Sequence, residues 1–412
     1  MRGKLAILSA LMLSACAATD LTTPAAPWPP LPTAFAAVGD LNEAVARFPN
    51  SAALQQRRLD LALNASDAAT ALDAASRLAS MGAGLPPPVR EQLGKVIGAE
   101  AAERLIPIFN SNSAPIAPSN VHATIPAAHR LIEGVAWDSR RSQLYATSVV
   151  DRRLLAVTRE GVREVAGPSG IGSLFTGHYD SANDRIWLVA ASVEQTPADG
   201  GRFAGLLSFS PAAPAAVIRL PLPAAGEAGP NDIAAARDGT LYVSDMVTGA
   251  IYRCRPGCSA PETFVTPRTL RSAHGMAVSQ DQKRLYVADF RYGLASVDLA
   301  TGQVSQVAAP SDMMLDGIDG LFAYDGDLIG IQGGTFPARI VRLSLSRDGR
   351  RVERLRVLER ANPAWGEPTL GTIAGNRLLY VANAQWERYG PGGAPTGNGA
   401  PEPTVIRALS LD

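Results

Sequence analysis

A chain of 412 residues with 38 Lys+Arg against 38 Asp+Glu has room for more than one domain and no charge excess with which to hold nucleic acid or an anionic lipid surface. No nucleic-acid partner is expected. Beyond the first residues no stretch approaches the ~18 apolar residues of a spanning helix, and without a Gly-x-Ser-x-Gly elbow a serine hydrolase of that type is not expected.

Arg2 and Lys4 precede an apolar run, Leu5 to Leu13, too short to cross a bilayer. Leu13-Ser14-Ala15-Cys16 resembles the cleavage site of bacterial lipoprotein signal sequences. The resemblance implies that residues 1–15 are removed and that Cys16 carries a diacylglyceryl thioether and an acylated amine, palmitate-type chains that together anchor stably where one alone binds marginally. Ala17 follows, where an aspartate would favour the inner membrane, so the expected location is the outer membrane, facing the periplasm. The alternative is a secretory peptide with a chance cysteine. Loss of Arg2 and Lys4 leaves a net charge of −2.

Residues 16–39 are rich in Ala, Pro and Thr and read as a semi-rigid tether. From 40 to 105 the pattern is helical: Leu41, Ala44, Val45 and Phe48 share a face, and Leu54, Leu61 and Leu63 continue it. Ser66 or Asp67 can cap a helix carrying Ala71, Leu72, Ala75, Leu78 and Ala79, closed by Gly82, and Pro86 to Pro88 open a fourth segment. Alanine-rich pairs of this length resemble tetratricopeptide repeats. Such a segment either docks a protein partner or is a spacer packed on the domain that follows.

From Leu131 the period changes to 2. EGVAWDSRRSQLYATS, NDIAAARDGTLYVSD, HGMAVSQDQKRLYVAD and DGLFAYDGDLIGIQ are copies of one hairpin unit; LFTGHYDSANDRIWLVAAS and EPTLGTIAGNRLLYVANA are looser ones. Six such units, each followed by further short strands, predict a mainly β fold: a six-bladed β-propeller over 106–412, preceded by the small helical segment. Closure is expected to pair a strand from 105–125 with the sheet containing PTVIRALSLD. Cys254 and Cys258 bracket a turn, Arg-Pro-Gly, and read as a small-loop disulfide; half a metal site, the alternative, lacks a second pair nearby.

Propeller geometry brings the residues that open the innermost strands to one tunnel mouth. These are Glu133, Asn231, His274 and Asp319, with Phe175 and the Glu367–Thr369 stretch in the other two places. Two carboxylates, an amide and an imidazole can coordinate a divalent cation; the other possibility is a water-filled polar tunnel. Asp245 and Asp289 close the neighbouring strands. Asp289 either orients the His274 imidazole or, like Asp245, holds the loop that follows. Long loops at SVEQTPADGGRF, QGGTFPAR and QWERYGPGGAPTGNGAPEP surround the same mouth, and Trp386 and Tyr389 can wall it. His178 reads as a surface or core residue of its blade.

These motifs resemble the senescence-marker/gluconolactonase family of six-bladed propellers with a divalent metal at that mouth. The resemblance implies Glu133, in Glu-Gly with Trp137 behind it, as a metal carboxylate; Asn231, in Pro-Asn-Asp, as the substrate-side asparagine; and Asp319, in Asp-Gly-Leu, as metal ligand and base. His274 stands where the family has a metal-binding asparagine, which shifts preference from Ca²⁺ toward Zn²⁺ or Mn²⁺. Gly229 and Pro230 stand where many members have a substrate-binding arginine. Two functions follow. One is a metal-dependent lactone or ester hydrolase with Asp319 and His274 catalytic, Asn231 and Trp386 on the substrate, and Glu133, Asn231, His274 and Asp319 on the metal. The other is a non-catalytic envelope scaffold that binds proteins or ligands through its loops and helical segment.

Overall fold

The computed structural model describes residues 26–31, 38–166, 171–198, 203–223 and 228–412. The expected leader, the expected lipidation site at Cys16 and most of the expected tether lie outside the described residues.

Five helices come first among the described residues: α1 Val38–Arg47, α2 Ala52–Asn64, α3 Ala68–Ser80, α4 Pro87–Ile97 and α5 Ala99–Asn112. Side-chain caps set two starts: Ser51 Oγ accepts the Leu54 N–H at 3.1 Å, and Asp67 Oδ1 accepts that of Thr70 at 3.1 Å. Helix α5 continues past the expected end at Leu105, through Pro107. Ala101, Leu105 and Phe109 recur at a spacing of four and are buried on one side of α5, and that burial outweighs the ~3 kcal/mol a mid-helix proline costs. The propeller strands accordingly begin at Asn120 rather than at 106.

The helices pack on the propeller. Phe48, directly after α1, stacks on Tyr292 at 4.5 Å, and Met314 joins the alanine- and leucine-rich core between α2 and α5. Part of the expected tether is docked too. Trp28 N donates to Val304 O at 3.1 Å and Gln306 N to Ala26 O at 2.8 Å, so 26–28 extend the outer edge of the fourth blade. The short strand Val304–Gln306 leaves edge groups to pair, and Trp28, 9% exposed against Phe48, has apolar surface to bury.

Six four-stranded antiparallel sheets follow. Their innermost strands are Ile132–Asp138, Ser173–Asp180, Pro230–Ala235, Ala273–Val278, Gly320–Tyr324 and Gly371–Ala374, numbered here as blades 1 to 6. Each neighbours the next, and the sixth neighbours the first. The Leu-Tyr pairs of the second strands (Leu144-Tyr145, Leu241-Tyr242, Leu285-Tyr286, Leu379-Tyr380) are buried at both positions. Successive strand residues face opposite sides, and each sheet is covered on both sides by its neighbours, so both must be apolar. Closure is as the sequence predicts: Asn120–Ile125 pairs antiparallel with Thr404–Ser410 as the outer strand of blade 6, with Thr124 opposite Val405. Cys254 and Cys258 are bonded, their Cα atoms 5.6 Å apart.

Candidate active site at the tunnel mouth

The residues that open the inner strands are re-aimed by β-bulges. Register shifts fall between Ile132 and Gly134, Leu174 and Gly177, Pro230 and Ile233, and Ala273 and Met276. Glu133, Phe175, Asn231 and His274 therefore each sit in a bulge at the same place in blades 1 to 4. Glycine follows two of them because the blades crowd here: a Cβ on Gly134 would collide with the Phe175 carbonyl, and one on Gly275 with the Leu321 N–H and the Asp319 carbonyl.

These side chains surround one cavity of about 380 Å³, with Asp319, Glu367 and Thr369 from blades 5 and 6. All four residues predicted as metal donors line it, and so does Trp386. Loops between second and third strands add Val193, Met246, Phe290, Gly333 and Gly334, as propeller geometry predicts. The start of helix α2 supports from outside one of these loops and the connection from blade 4 to blade 5. Ser51 Oγ donates to Arg291 O at 2.7 Å, and Asp316 accepts the N–H groups of Ala52 and Ala53 at 2.9 and 2.7 Å.

Three carboxyl groups face this cavity, and among the described residues no lysine or arginine lines it. Burial raises Glu133 well above the usual carboxylate range. The charges of Glu367 and Asp319 add to the rise, and the Trp386 indole, donating Nε1–H to Glu133 Oε2 at 2.6 Å, opposes it. Asp319 is also raised well above its ordinary value, by burial and then by Glu367, with only the Gly333 N–H in opposition. Glu367 is raised by burial, and its Oε2 accepts the Trp386 backbone N–H at 3.2 Å. His274 lies on Phe290, ring centroids 4.6 Å apart, with Nδ1 3.1 Å from the Ser272 carbonyl. Burial lowers its pKa to about 4. A neutral imidazole bonded to a carbonyl carries its proton on Nδ1, which leaves the lone pair on Nε2.

One open alternative closes and two expectations change. Of the two readings of Asp289, holding the loop is the one observed, and it does not orient His274: its Oδ2 accepts the Arg271 N–H at 2.6 Å and its Oδ1 that of Arg291 at 3.2 Å. Asp245 does the same for Gly229, Val247 and Thr248. Both hold loops, because amides that close a turn lie nearer than a neighbouring strand's side chain. Tyr389 is 3% exposed among Leu131, Val149 and Val150 and walls nothing. Second, although the four predicted donors share the cavity, no three His, Cys, Asp or Glu side chains among the described residues are grouped to hold a metal ion. Glu133 is engaged by the indole and Glu367 by the loop amide. The donor chemistry still suits a hard cation: buried acidic oxygens without a basic partner, beside an amide that is itself unpaired. Asn231 is 4% exposed, and among the described residues its side chain makes no hydrogen bond. His178 lies half-buried on the inner strand of blade 2, at a separate tunnel cavity with Asp232. Glu367 as a functional side chain escaped the sequence reading, which marked only its stretch. Its signal was an acidic residue just before the last inner strand.

Residues 131–382, more than half of the chain, match the family described as "SMP-30/Gluconolactonase/LRE-like region". No curated protein sequence matches. Among solved structures, a luciferin-regenerating enzyme is 16% identical with a TM-score of 0.50, covering 72% of this chain and 96% of that one. At this identity the likeness concerns the fold. A gluconolactonase from Xanthomonas campestris is 18% identical (TM-score 0.46, covering 73% and 100%), and the calcium-binding protein regucalcin from Agrobacterium tumefaciens 15% identical (0.49, covering 70% and 93%).

Proposed function

Since this chain belongs to the SMP-30/gluconolactonase/LRE-like family, we propose that its tunnel mouth is the site of a metal-dependent hydrolase acting on a small lactone or ester. One observation supports it above others: three buried or half-buried carboxyl groups, a neutral imidazole and an unpaired amide face one cavity that no basic side chain neutralises. Glu133, Asp319 and Asn231 would hold a divalent cation, with His274 as a further donor; Ca²⁺ suits the oxygens, and the imidazole moves the preference toward Mn²⁺ or Zn²⁺. A cation bound there polarises a carbonyl and acidifies water. Asp319, whose pKa burial and the neighbouring Glu367 raise well above the usual carboxylate range, is the base that takes the proton from the attacking water. The one lone pair of His274, on Nε2, is the atom it would offer the cation, Asn231 orients the acyl group, and Trp386 with Phe175, ring centroids 6.1 Å apart, forms the apolar wall.

The test is a panel of lactones and aryl esters, assayed with Ca²⁺, Mn²⁺ and Zn²⁺ alongside calorimetric titration of each cation. Saturable binding and turnover, both lost in Glu133→Gln with Asp319→Asn, support the hydrolase. Neither binding nor turnover in the wild type leaves a scaffold, a reading favoured by the ungrouped metal donors, with the helical segment as the protein-docking surface. We further propose that Cys16 anchors the protein to the outer membrane, facing the periplasm. Cys16→Ser should move it out of the membrane fraction; unchanged partitioning refutes the anchor.

A further inference from the structure

Glu367 gives the mouth more negative charge than a divalent cation neutralises. With Glu133 and Asp319 assigned to the cation, the blade 6 carboxylate remains, and its charge is felt by both of the others. One of its oxygens accepts the Trp386 N–H, and Oε1 has no hydrogen-bond partner among the described residues. The same cavity is lined by the Asn231 amide, 4% exposed and without a side-chain hydrogen bond among the described residues, and so free to pair with a ligand. Beside Glu367 the wall carries the partly exposed Trp386 indole, backed by the buried Phe175 on which it stacks, an aromatic surface of the kind that attracts a positive charge. No arginine or lysine among the described residues is there to receive an anionic group.

Resting on the hydrolase reading of this mouth, we propose that it selects its substrate by charge. It takes an ester or lactone bearing an ammonium group in preference to an uncharged one and rejects an anionic one, and Glu367 is the specificity-determining residue. The ammonium group lies between the Glu367 carboxylate and the Trp386–Phe175 wall, while Asn231 pairs with the acyl end. Partial desolvation makes this contact count: a half-buried carboxylate in a cavity attracts a cation more strongly than one on the surface. Glu387, exposed on the rim and paired with Arg388, supplies the contrast.

Three probes of similar size and different charge test it: benzyltrimethylammonium, benzyl alcohol and benzoate, titrated calorimetrically into the full chain with and without excess Ca²⁺. The expected order is ammonium about tenfold tighter than alcohol, with benzoate undetected. Glu367→Gln, which keeps an acceptor for the Trp386 N–H, should lower ammonium affinity about tenfold and leave benzyl alcohol unchanged. Glu387→Gln should leave all three unchanged, and Glu367→Asp, which keeps the charge, should keep the order. Equal affinities, no binding of any probe, or an unchanged order in Glu367→Gln overturns the proposal. Hydrolysis of 4-nitrophenyl acetate separates it from its premise. Turnover with no charge order sinks the selectivity alone, whereas a charge order without turnover sinks the hydrolase and leaves a charge-selective binding mouth.

Discussion

Two aspartates three residues apart, Asp316 and Asp319, compare the seam beneath the helical segment with the tunnel mouth. Both are held in low-dielectric surroundings, and burial raises both. Asp316 receives the N–H groups of Ala52 and Ala53 and the Ser51 hydroxyl, at the positive end of α2, and its pKa reaches only about 6. Asp319 has a single amide in opposition and a neighbouring Glu367 adding to its rise. Burial by itself therefore does not distinguish a working carboxylate from a structural one. The supply of donors does, because a saturated carboxylate has nothing left to offer a ligand.

The largest expected effect separates the two by sign. Glu133→Gln with Asp319→Asn should weaken cation binding about 100-fold or more by calorimetry, yet raise the midpoint of thermal unfolding, since buried like charges are removed. A lowered midpoint would place these groups with the seam. Asp316→Ala should instead cost about 2 kcal/mol in denaturant unfolding, as expected for a lost helix cap, and leave cation affinity unchanged.

Next is pH. A carboxyl group whose folded pKa lies at about 6 against an ordinary 3.8 contributes stability that is full below ~4 and lost as pH rises through about 6. Arg339 is the charged group acting on Asp316, and it opposes the rise. Between pH 5 and 7.5 the wild type should lose about 1 kcal/mol from this group, and Asp316→Asn should flatten that part of the profile. An unchanged profile would mean that the seam opens when Asp316 titrates. The smallest effect concerns the indole. Trp386→Phe removes the N–H that engages Glu133 and keeps a ring near Phe175, so cation affinity should rise a few-fold, about 0.5–1 kcal/mol. A fall would make the indole part of the cation site rather than its competitor.

Much of the fold was legible because its signals are local or periodic. Period 2 around polar turns marked six hairpins, and the phase of the repeat was enough to bring Glu133, Asn231, His274 and Asp319 to one cavity. Cys254 and Cys258 were readable as a pair because they stand only four positions apart in sequence. Glu367 was harder to see: its inner strand starts only at Gly371, so it precedes the strand instead of sitting in a bulge. Nothing local marks Trp386 as the donor to a glutamate 253 positions away.

Sequence by itself determined the blade count, the closing strand, the helical start and the ring of polar residues, since each follows from side-chain alternation over a few neighbours and from blade symmetry. Tertiary structure alone decided that Trp28 leaves the tether for the edge of blade 4 and that Asp289 serves a loop rather than His274. It also decided that Asp316 caps a helix while Asp319 keeps its oxygens for the cavity. Each of these outcomes is a competition among donors for one buried acceptor or among surfaces for one edge, and the competitors come from segments that only folding brings together.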